Sequence, residues 1–173
     1  MIELRTERLL LRRFVVGDVD DALAYRNDEA FARYLPHIPQ PFTPDDARAF
    51  VALNAAEPSD RSPTFAVVFD GRMIGTVNLE IDAAQRTAML GYAIGRESWG
   101  KGIALEASRA VIAWAFEAFA VATIWATTDV RNHRSIRVLE KLGMTRERVL
   151  LANITGRDGA PIDEVRYSLA RDR

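Results

Sequence analysis

The chain has 173 residues, 23 basic side chains against 24 acidic ones (formal net charge −1), and 49% hydrophobic with 27% charged residues, which suits one globular domain over residues 1–173 and excludes a disordered chain. No run reaches the ~18 apolar residues of a membrane span, the charged start (Glu3, Arg5, Glu7, Arg8) lacks an apolar secretory core, and the near-neutral balance argues against a dedicated nucleic-acid binder, so a cytoplasmic chain with no membrane and no direct nucleic-acid partner is expected. Zero cysteines exclude disulfides and thiolate chemistry, and two histidines, His37 and His133, argue against a multi-histidine metal centre.

In chain order, Leu9 and Leu11 among the arginines of Arg8–Arg13 predict a short strand. Asp18 is expected to cap an amphipathic helix running to about Asp28, with Val19, Leu23 and Tyr25 inward. Prolines 36, 39, 41 and 44 make Pro36–Pro44 irregular. Thr43-Pro44 then opens a second helix, a favoured cap before a favoured first position, carrying Phe50, Val51 and Leu53 and ended by Pro58. Phe65, Val67 and Phe69, the turn Asp70-Gly71 and the return Met73–Leu79 predict a hairpin. A third strand, Arg86–Ile94, sets Ala88, Leu90, Tyr92 and Ile94 on one face. A long helix from about Ile103 to Phe119 repeats Ala104, Ala107, Val111, Trp114 and Ala118 as a buried stripe. Strand Thr123–Thr128, helix Asn132–Leu142 stopped by Gly143, and strands Met144–Leu151 and Glu164–Leu169 complete the chain. Helices interspersed with a mostly antiparallel sheet give an α+β, or mixed α/β, class.

The stretch that carries chemistry is Tyr92-Ala-Ile-Gly-Arg-Glu-Ser-Trp-Gly-Lys-Gly-Ile-Ala104, a strand, a loop with Gly95, Gly100 and Gly102, and a helix. Small residues let main-chain N–H groups at a helix start face an anion, which the helix dipole also favours. On glycines alone, a phosphate cradle and a plain tight turn into a helix remain equal readings. Gly95-x4-Gly100-Lys101 follows the Walker A pattern until Gly102, where the Mg²⁺-holding Ser or Thr is missing. A dinucleotide fingerprint from Gly100-x-Gly102 fails at Leu105, and lies past mid-chain instead of in the first strand–helix unit.

Trp99-x-x-Gly102-x-Ala104 resembles the acyl-CoA pyrophosphate loop of the GNAT superfamily of N-acetyltransferases, whose pattern is Gln/Arg-x-x-Gly-x-Gly/Ala; Trp99 departs from it at the first position. Trp-Gly-Lys-Gly-Ile-Ala-Leu-Glu-Ala also looks like the branch of ribosomal-protein N-terminal (Rim-type) acetyltransferases. Asn132-His-Arg-Ser135-Ile-Arg-Val-Leu-Glu-Lys-Leu-Gly143 is similar to that branch's Asn-x-x-Ser-x-x-x-Leu-x-x-x-Gly helix. A looser likeness runs from Thr6-Glu-Arg-Leu-Leu-Leu-Arg to Asp163-Glu-Val-Arg-Tyr-Ser-Leu169.

The resemblance implies an acyl-CoA N-acyltransferase-like sheet with two central strands splayed apart, and acetyl transfer from acetyl-CoA to a primary amine, with no metal. Tyr92, Ala93 and Ile94 would pair with the pantetheine amides, and Gly100, Lys101, Gly102, Ile103 and Ala104 would present N–H groups to the pyrophosphate, beside Trp99 and Asn132. Arg96, Arg131, Arg134 and Arg137 are candidates for the remaining phosphate. An N–H near Ile94 would serve the oxyanion, and Ser135 would hydrogen-bond or protonate the departing thiol. Relatives often carry Glu where Met89 stands, so Glu80 is the candidate base, with Asp82 beside it. An α-amine, with pKa about 8, needs less help from a base than a lysine near ~10.4. Tyr34, His37 and Phe42 of the proline-rich stretch are candidates to line the acceptor pocket. The implied partner is an amine acceptor, either a protein N-terminus or a small molecule, and a homodimer is implied by analogy. Two other readings stand beside this one: a nucleotide-binding phosphotransferase using Gly95–Lys101, and a non-catalytic acyl-CoA- or partner-binding module.

Overall fold

A computed structural model describes residues 2–56 and 62–171. It runs β1 (Leu4–Arg5), β2 (Leu10–Arg12), a 3-10 turn (Val16–Asp18), α1 (Val19–Arg26), α2 (Glu29–Ala32), α3 (Pro44–Ala56), β3 (Thr64–Phe69), β4 (Arg72–Asp82), β5 (Thr87–Ile94), a second 3-10 turn (Arg96–Ser98), α4 (Ile103–Ala118), β6 (Thr123–Asp129), α5 (His133–Lys141), β7 (Thr145–Thr155) and β8 (Pro161–Ala170). The strands form one sheet in the order β1-β2-β3-β4-β5-β6-β8-β7. Only the β5–β6 pair is parallel. This is the mixed α/β class with a mostly antiparallel sheet that the sequence pattern predicts.

Strand alternation separates two cores. Leu79, Ala88, Leu90 and Ile94 point to one face and pack with Ile103, Ala107, Val111 and Ala115 of α4. The opposite face is covered by α1, α2, α3 and the proline-rich stretch, through Phe14, Ala22, Val51, Ala66 and Met73 and a second group of Phe31, Ala32, Ile38, Phe42 and Ala47. Side chains on β5 therefore alternate between the two sides, which sets the central strands up to present groups to either.

Several local expectations change. Asp18 does not cap α1. Buried at 3% exposure, it holds Arg12 through bonds of 2.7 and 2.8 Å and accepts the Val15 amide at 2.9 Å, tying β2 to the 3-10 turn. Val19, Leu23 and Tyr25 of α1 do face inward, half-buried against the apolar clusters, but the most deeply buried residues of the helix are Ala22 and Arg26. The Arg26 guanidinium lies 3.8 Å from the centroid of the Phe50 ring and 5.1 Å from that of Phe42, a cation–π seat that lets a weakly hydrated cation enter an apolar cluster. Asp28 ends the expected helix and caps a new short one, accepting the Phe31 amide at 2.9 Å. Thr43 and Asp46 cap α3 reciprocally, through bonds of 2.8 and 3.2 Å. Leu53 is 71% exposed, and Pro58 lies outside the described residues. On α4 the buried stripe is Ile103, Ala107, Val111 and Ala115; Ala118 keeps the angular position of the stripe but is exposed as the last residue of the helix. Strands β7 and β8 run longer than expected and carry a register break between Leu150 and Ile154.

Candidate active site

The parallel pairing of β5 with β6 covers Thr87–Thr123, Ala88–Ile124 and Met89–Trp125 and then stops. Both strands continue, β5 to Ile94 held by β4, and β6 to Asp129 held by β8. Each strand thus follows its own half of the sheet, and a slot opens between them. The Gly95 amide bonds the Ile74 carbonyl of β4 at 2.8 Å. By strand alternation Ala93 also turns its main-chain groups to β4, opposite Thr76, while Tyr92 and Ile94 turn theirs into the slot. Of the three residues expected to offer main-chain pairing, two therefore face the opening and Ala93 does not. The Ile94 carbonyl already accepts the Trp99 indole N–H at 2.6 Å.

At the end of the slot, Gly100 (φ 75°) and Gly102 (φ 77°) occupy the left-handed region that costs other L-residues about 1–2 kcal/mol. A Cβ at Gly100 would meet nothing within 4 Å, and one at Gly102 would lie 3.6 Å from Arg8 Nη2. The loop is thus an open cradle, followed by α4, whose first N–H groups have no partner within the helix. These features fit the diphosphate of an acyl carrier, with Gly100, Lys101, Gly102, Ile103 and Ala104 as the donors. Two cations flank the cradle. Arg134 sits with its guanidinium carbon 4.5 Å from the centroid of the Trp99 ring. Arg8, which the sequence reading missed, is fixed by Glu106 on the first turn of α4 through bonds of 2.6–3.0 Å. Burial works to raise the pKa of Glu106, but the bonds from Thr6 and Arg8 outweigh it and hold the carboxyl below its usual range.

The slot is bridged by Tyr92 and Ser135. Asn132 caps α5 by accepting the Ser135 amide at 3.2 Å, and this turn sets the Ser135 hydroxyl 2.8 Å from that of Tyr92. Burial pushes the Tyr92 phenol up to about 12, with the Ser135 bond pulling the other way. Glu80 is not brought to this pair. It is exposed, opposite Met89, and on the sheet face away from α4.

On the far side, Tyr34 is half-buried and its hydroxyl donates to the Arg131 carbonyl at 3.3 Å. A cleft of about 350 Å³ opens there between the end of α2, the start of α5 and the β7–β8 hairpin tip, and Tyr34 lines it. Phe42, expected to line the acceptor pocket, is instead packed with Phe31 and Ile38 inside the cover at 4% exposure and does not line this cleft. His37 is exposed, and partial burial, with Arg26 and Arg157 nearby, holds it below the ordinary imidazole pKa. Among the described residues, no group of three or more His, Cys, Asp or Glu side chains could hold a metal ion, and no helix is long and apolar enough to cross a membrane.

A slot between two diverging strands, with an anion cradle at its end, defines the class of acyl-CoA-dependent N-acyltransferases. The family model described as an acetyltransferase (GNAT) domain matches residues 8–145. An uncharacterised N-acetyltransferase of Bacillus subtilis, YnaD, is 30% identical over 146 residues, 84% of each chain. An uncharacterised N-acetyltransferase of Bacillus licheniformis, p20, is 31% identical over 99% of this chain and 97% of its own. The solved ribosomal-protein-S5-alanine acetyltransferase from Vibrio fischeri is 26% identical and superposes with a TM-score of 0.85, over 99% of this chain and 98% of the other. The chain belongs to the GNAT acetyltransferase family and is an acetyl-CoA-dependent N-acetyltransferase.

Proposed function

We propose that the acceptor is an α-amine or a small-molecule amine of comparable pKa, attacking the thioester directly in the slot. The observation that carries this reading is the end of β5–β6 pairing at Met89–Trp125, with Tyr92 and Ser135 meeting at 2.8 Å across the opening. Acetyl-CoA supplies an activated acyl group and a good leaving thiol. The main chain of Tyr92 and Ile94 would align its arm, and the cradle at Gly100–Ala104, with Trp99, Asn132 and Arg134 around it, would hold its phosphates. The Ile94 amide would favour the negative charge that develops on the carbonyl oxygen. Ser135, backed by Tyr92, would hydrogen-bond the departing sulfur. A free thiol titrates near ~8.5, so this help need only be modest.

Glu80 would act as base through water, since it stands apart from the Tyr92–Ser135 pair. That suits an amine of pKa about 8 better than a lysine near ~10.4, which at pH 7 offers roughly a hundredfold less neutral form. The likeness to a protein whose name gives a ribosomal-protein alanine as its acceptor supports the same choice. The reading includes a cytoplasmic setting, where acetyl-CoA is at hand, and the homodimer that the family resemblance implies. Thiol release measured on peptides with a free N-terminus and a blocked lysine, and on the converse set, tests it. Faster turnover on the free N-terminal set supports the reading, and faster turnover on free lysines overturns it.

A further inference from the structure

Three arginines, Arg33, Arg131 and Arg157, line the 350 Å³ cleft, and the one carboxylate among its lining residues is Asp158. The volume falls within the ~300–1,000 Å³ range of small-molecule sites. The three arginines come from separate places: the end of α2, the turn before α5, and the β7–β8 tip. Tyr34 ties the first two segments together through its bond to the Arg131 carbonyl.

Each arginine is anchored, yet each keeps donors to spare. Arg131 gives Nε and Nη2 to the buried Asp129 at 2.9 and 2.6 Å, leaving Nη1 on a side chain that is 66% exposed. Arg157 uses Nη2 on the carbonyls of Ala32 and Leu35, leaving Nε and Nη1. Arg33 forms no ion pair within 4 Å among the described residues, although its charge helps keep Asp129 ionised, and it lies beside the Tyr34 ring, 5.4 Å from its centroid. On the acidic side, Asp129 neutralises Arg131 from beneath, and one oxygen of Asp158 accepts the Ala160 amide at 3.0 Å. Of the residues that line the cleft, three are cations and one, Asp158, is a carboxylate; Asp129 lies beneath Arg131, with Glu164 opposite it on β8. The cleft's remaining walls include Pro36, Pro161 and Ile162, which contribute no charge.

The cleft also lies close to the reacting groups. Arg131 is four residues before Ser135, so their Cα atoms are at most about 15 Å apart. Building on the amine-acceptor reading above, we infer that the acceptor carries an oxyanion, carboxylate or phosphate, which the Arg33–Arg131–Arg157 cleft binds while the amine enters the slot. A guanidinium facing an oxyanion discriminates against the neutral analogue by about tenfold or more.

Titrations followed by NMR on the full chain, with and without saturating CoA, compare O-phosphoethanolamine with ethanolamine and 4-aminobutyrate with 4-aminobutanamide. The anionic member of at least one pair binds about tenfold tighter, and a preference confined to one pair identifies the oxyanion as phosphate or carboxylate. Arg33→Gln, an exposed substitution, brings that ratio close to one, and Arg157→Gln gives an independent second reading. Equal binding within both pairs, no binding by any of the four, or a ratio that survives both substitutions overturns the inference. CoA binding is read in the same samples. Its failure would overturn the transferase reading alone, because an anion preference measured without CoA stands on its own.

Discussion

The Tyr92 hydroxyl lies 2.8 Å from Ser135 Oγ and 3.2 Å from the Ser135 carbonyl oxygen, so one phenol touches the same residue twice across the slot. Either hydroxyl can donate in the 2.8 Å contact, and with the phenol proton given to Ser135 Oγ the Ser135 proton is left for the departing sulfur. A phenol pushed up to about 12 keeps its proton throughout the neutral range. The contact fixes the Ser135 side chain against the Tyr92 hydroxyl. Ser135→Ala is expected to lower kcat about tenfold, the worth of one hydrogen bond to a charged group, and to leave the KM for acetyl-CoA nearly unchanged. Tyr92→Phe frees the Ser135 rotor and is expected to lower kcat less. Steady-state kinetics check both, and an unchanged kcat in Ser135→Ala removes the residue from the reaction.

Gly102 takes φ 77° at the residue from which α4 starts. A Val there must either adopt a strained left-handed conformation or shift the loop, and the shift moves the amides that form the cradle. Gly102→Val is expected to weaken CoA binding tenfold or more and to abolish most of the CoA-induced rise in Tm. Gly17→Ala is the control: Gly17 is remote from the loop in the 3-10 turn, a Cβ there meets nothing within 4 Å, and it should keep the full rise. Equal CoA-induced shifts in Gly102→Val and wild type would show that the main-chain cradle is not the site.

Trp99 stands where the family pattern has Gln or Arg, and a cation from another element, Arg134, lies against its ring. Its indole N–H is committed to the Ile94 carbonyl at 2.6 Å, which locks the ring, and Arg134 packs its guanidinium against that ring. A planar cation on an aromatic face is pre-organised to meet a phosphate oxygen. Arg134→Gln is expected to raise the KM for acetyl-CoA severalfold with kcat nearly unchanged. Trp99→Leu, which removes both the lock and the platform, should do at least as much. Comparing CoA with its 3′-dephospho form separates a pyrophosphate contact from a contact to the remaining phosphate.

Much of this geometry is legible in the sequence because it depends on local periodicity. The alternation Ala88, Leu90, Tyr92, Ile94 and the spacing Ala107, Val111 each declare a buried face, and Asn132 three residues before Ser135 declares a cap. What is not legible depends on partners outside an element's own periodicity. Asp18 has the look of a helix cap, but Arg12 and the Val15 amide claim its carboxylate. Arg26 looks like a surface residue until four aromatic rings, from α1, α2, the proline-rich stretch and α3, close around it. The slot is equally hidden: nothing local in β5 or β6 says that their pairing will stop at Met89, since that follows from β4 and β8 holding the two strands on diverging halves. The three arginines of the acceptor cleft lie up to 124 positions apart, from Arg33 to Arg157, and only the fold brings them together.

The titrating groups predict a stability profile with two limbs. Asp28 is held below the usual carboxylate range first by the Phe31 amide and then by Arg96, despite some burial. Burial works to raise Asp129, but the paired bonds and charge of Arg131 outweigh it and leave this carboxyl low as well. Together with Glu106, these are groups whose folded pKa lies below the unfolded value. Their contribution is complete above about pH 5 and is lost as pH falls through the folded values. Tyr25 and Tyr92 work in the opposite sense, since burial pushes both up to about 12 against an ordinary value near 10. Their phenols stay neutral in the fold while the unfolded chain ionises, so stability is complete below about pH 10 and declines toward pH 12, by of order 2–3 kcal/mol per ring. Denaturant unfolding across pH reads both limbs. Arg131→Gln should shrink the acid limb, because Asp129 loses the partner that keeps it ionised. Tyr25→Phe should shrink the alkaline limb without touching the acid one. A profile flat from pH 9 to 12 in the wild type would show that neither phenol is held in the protected environment described.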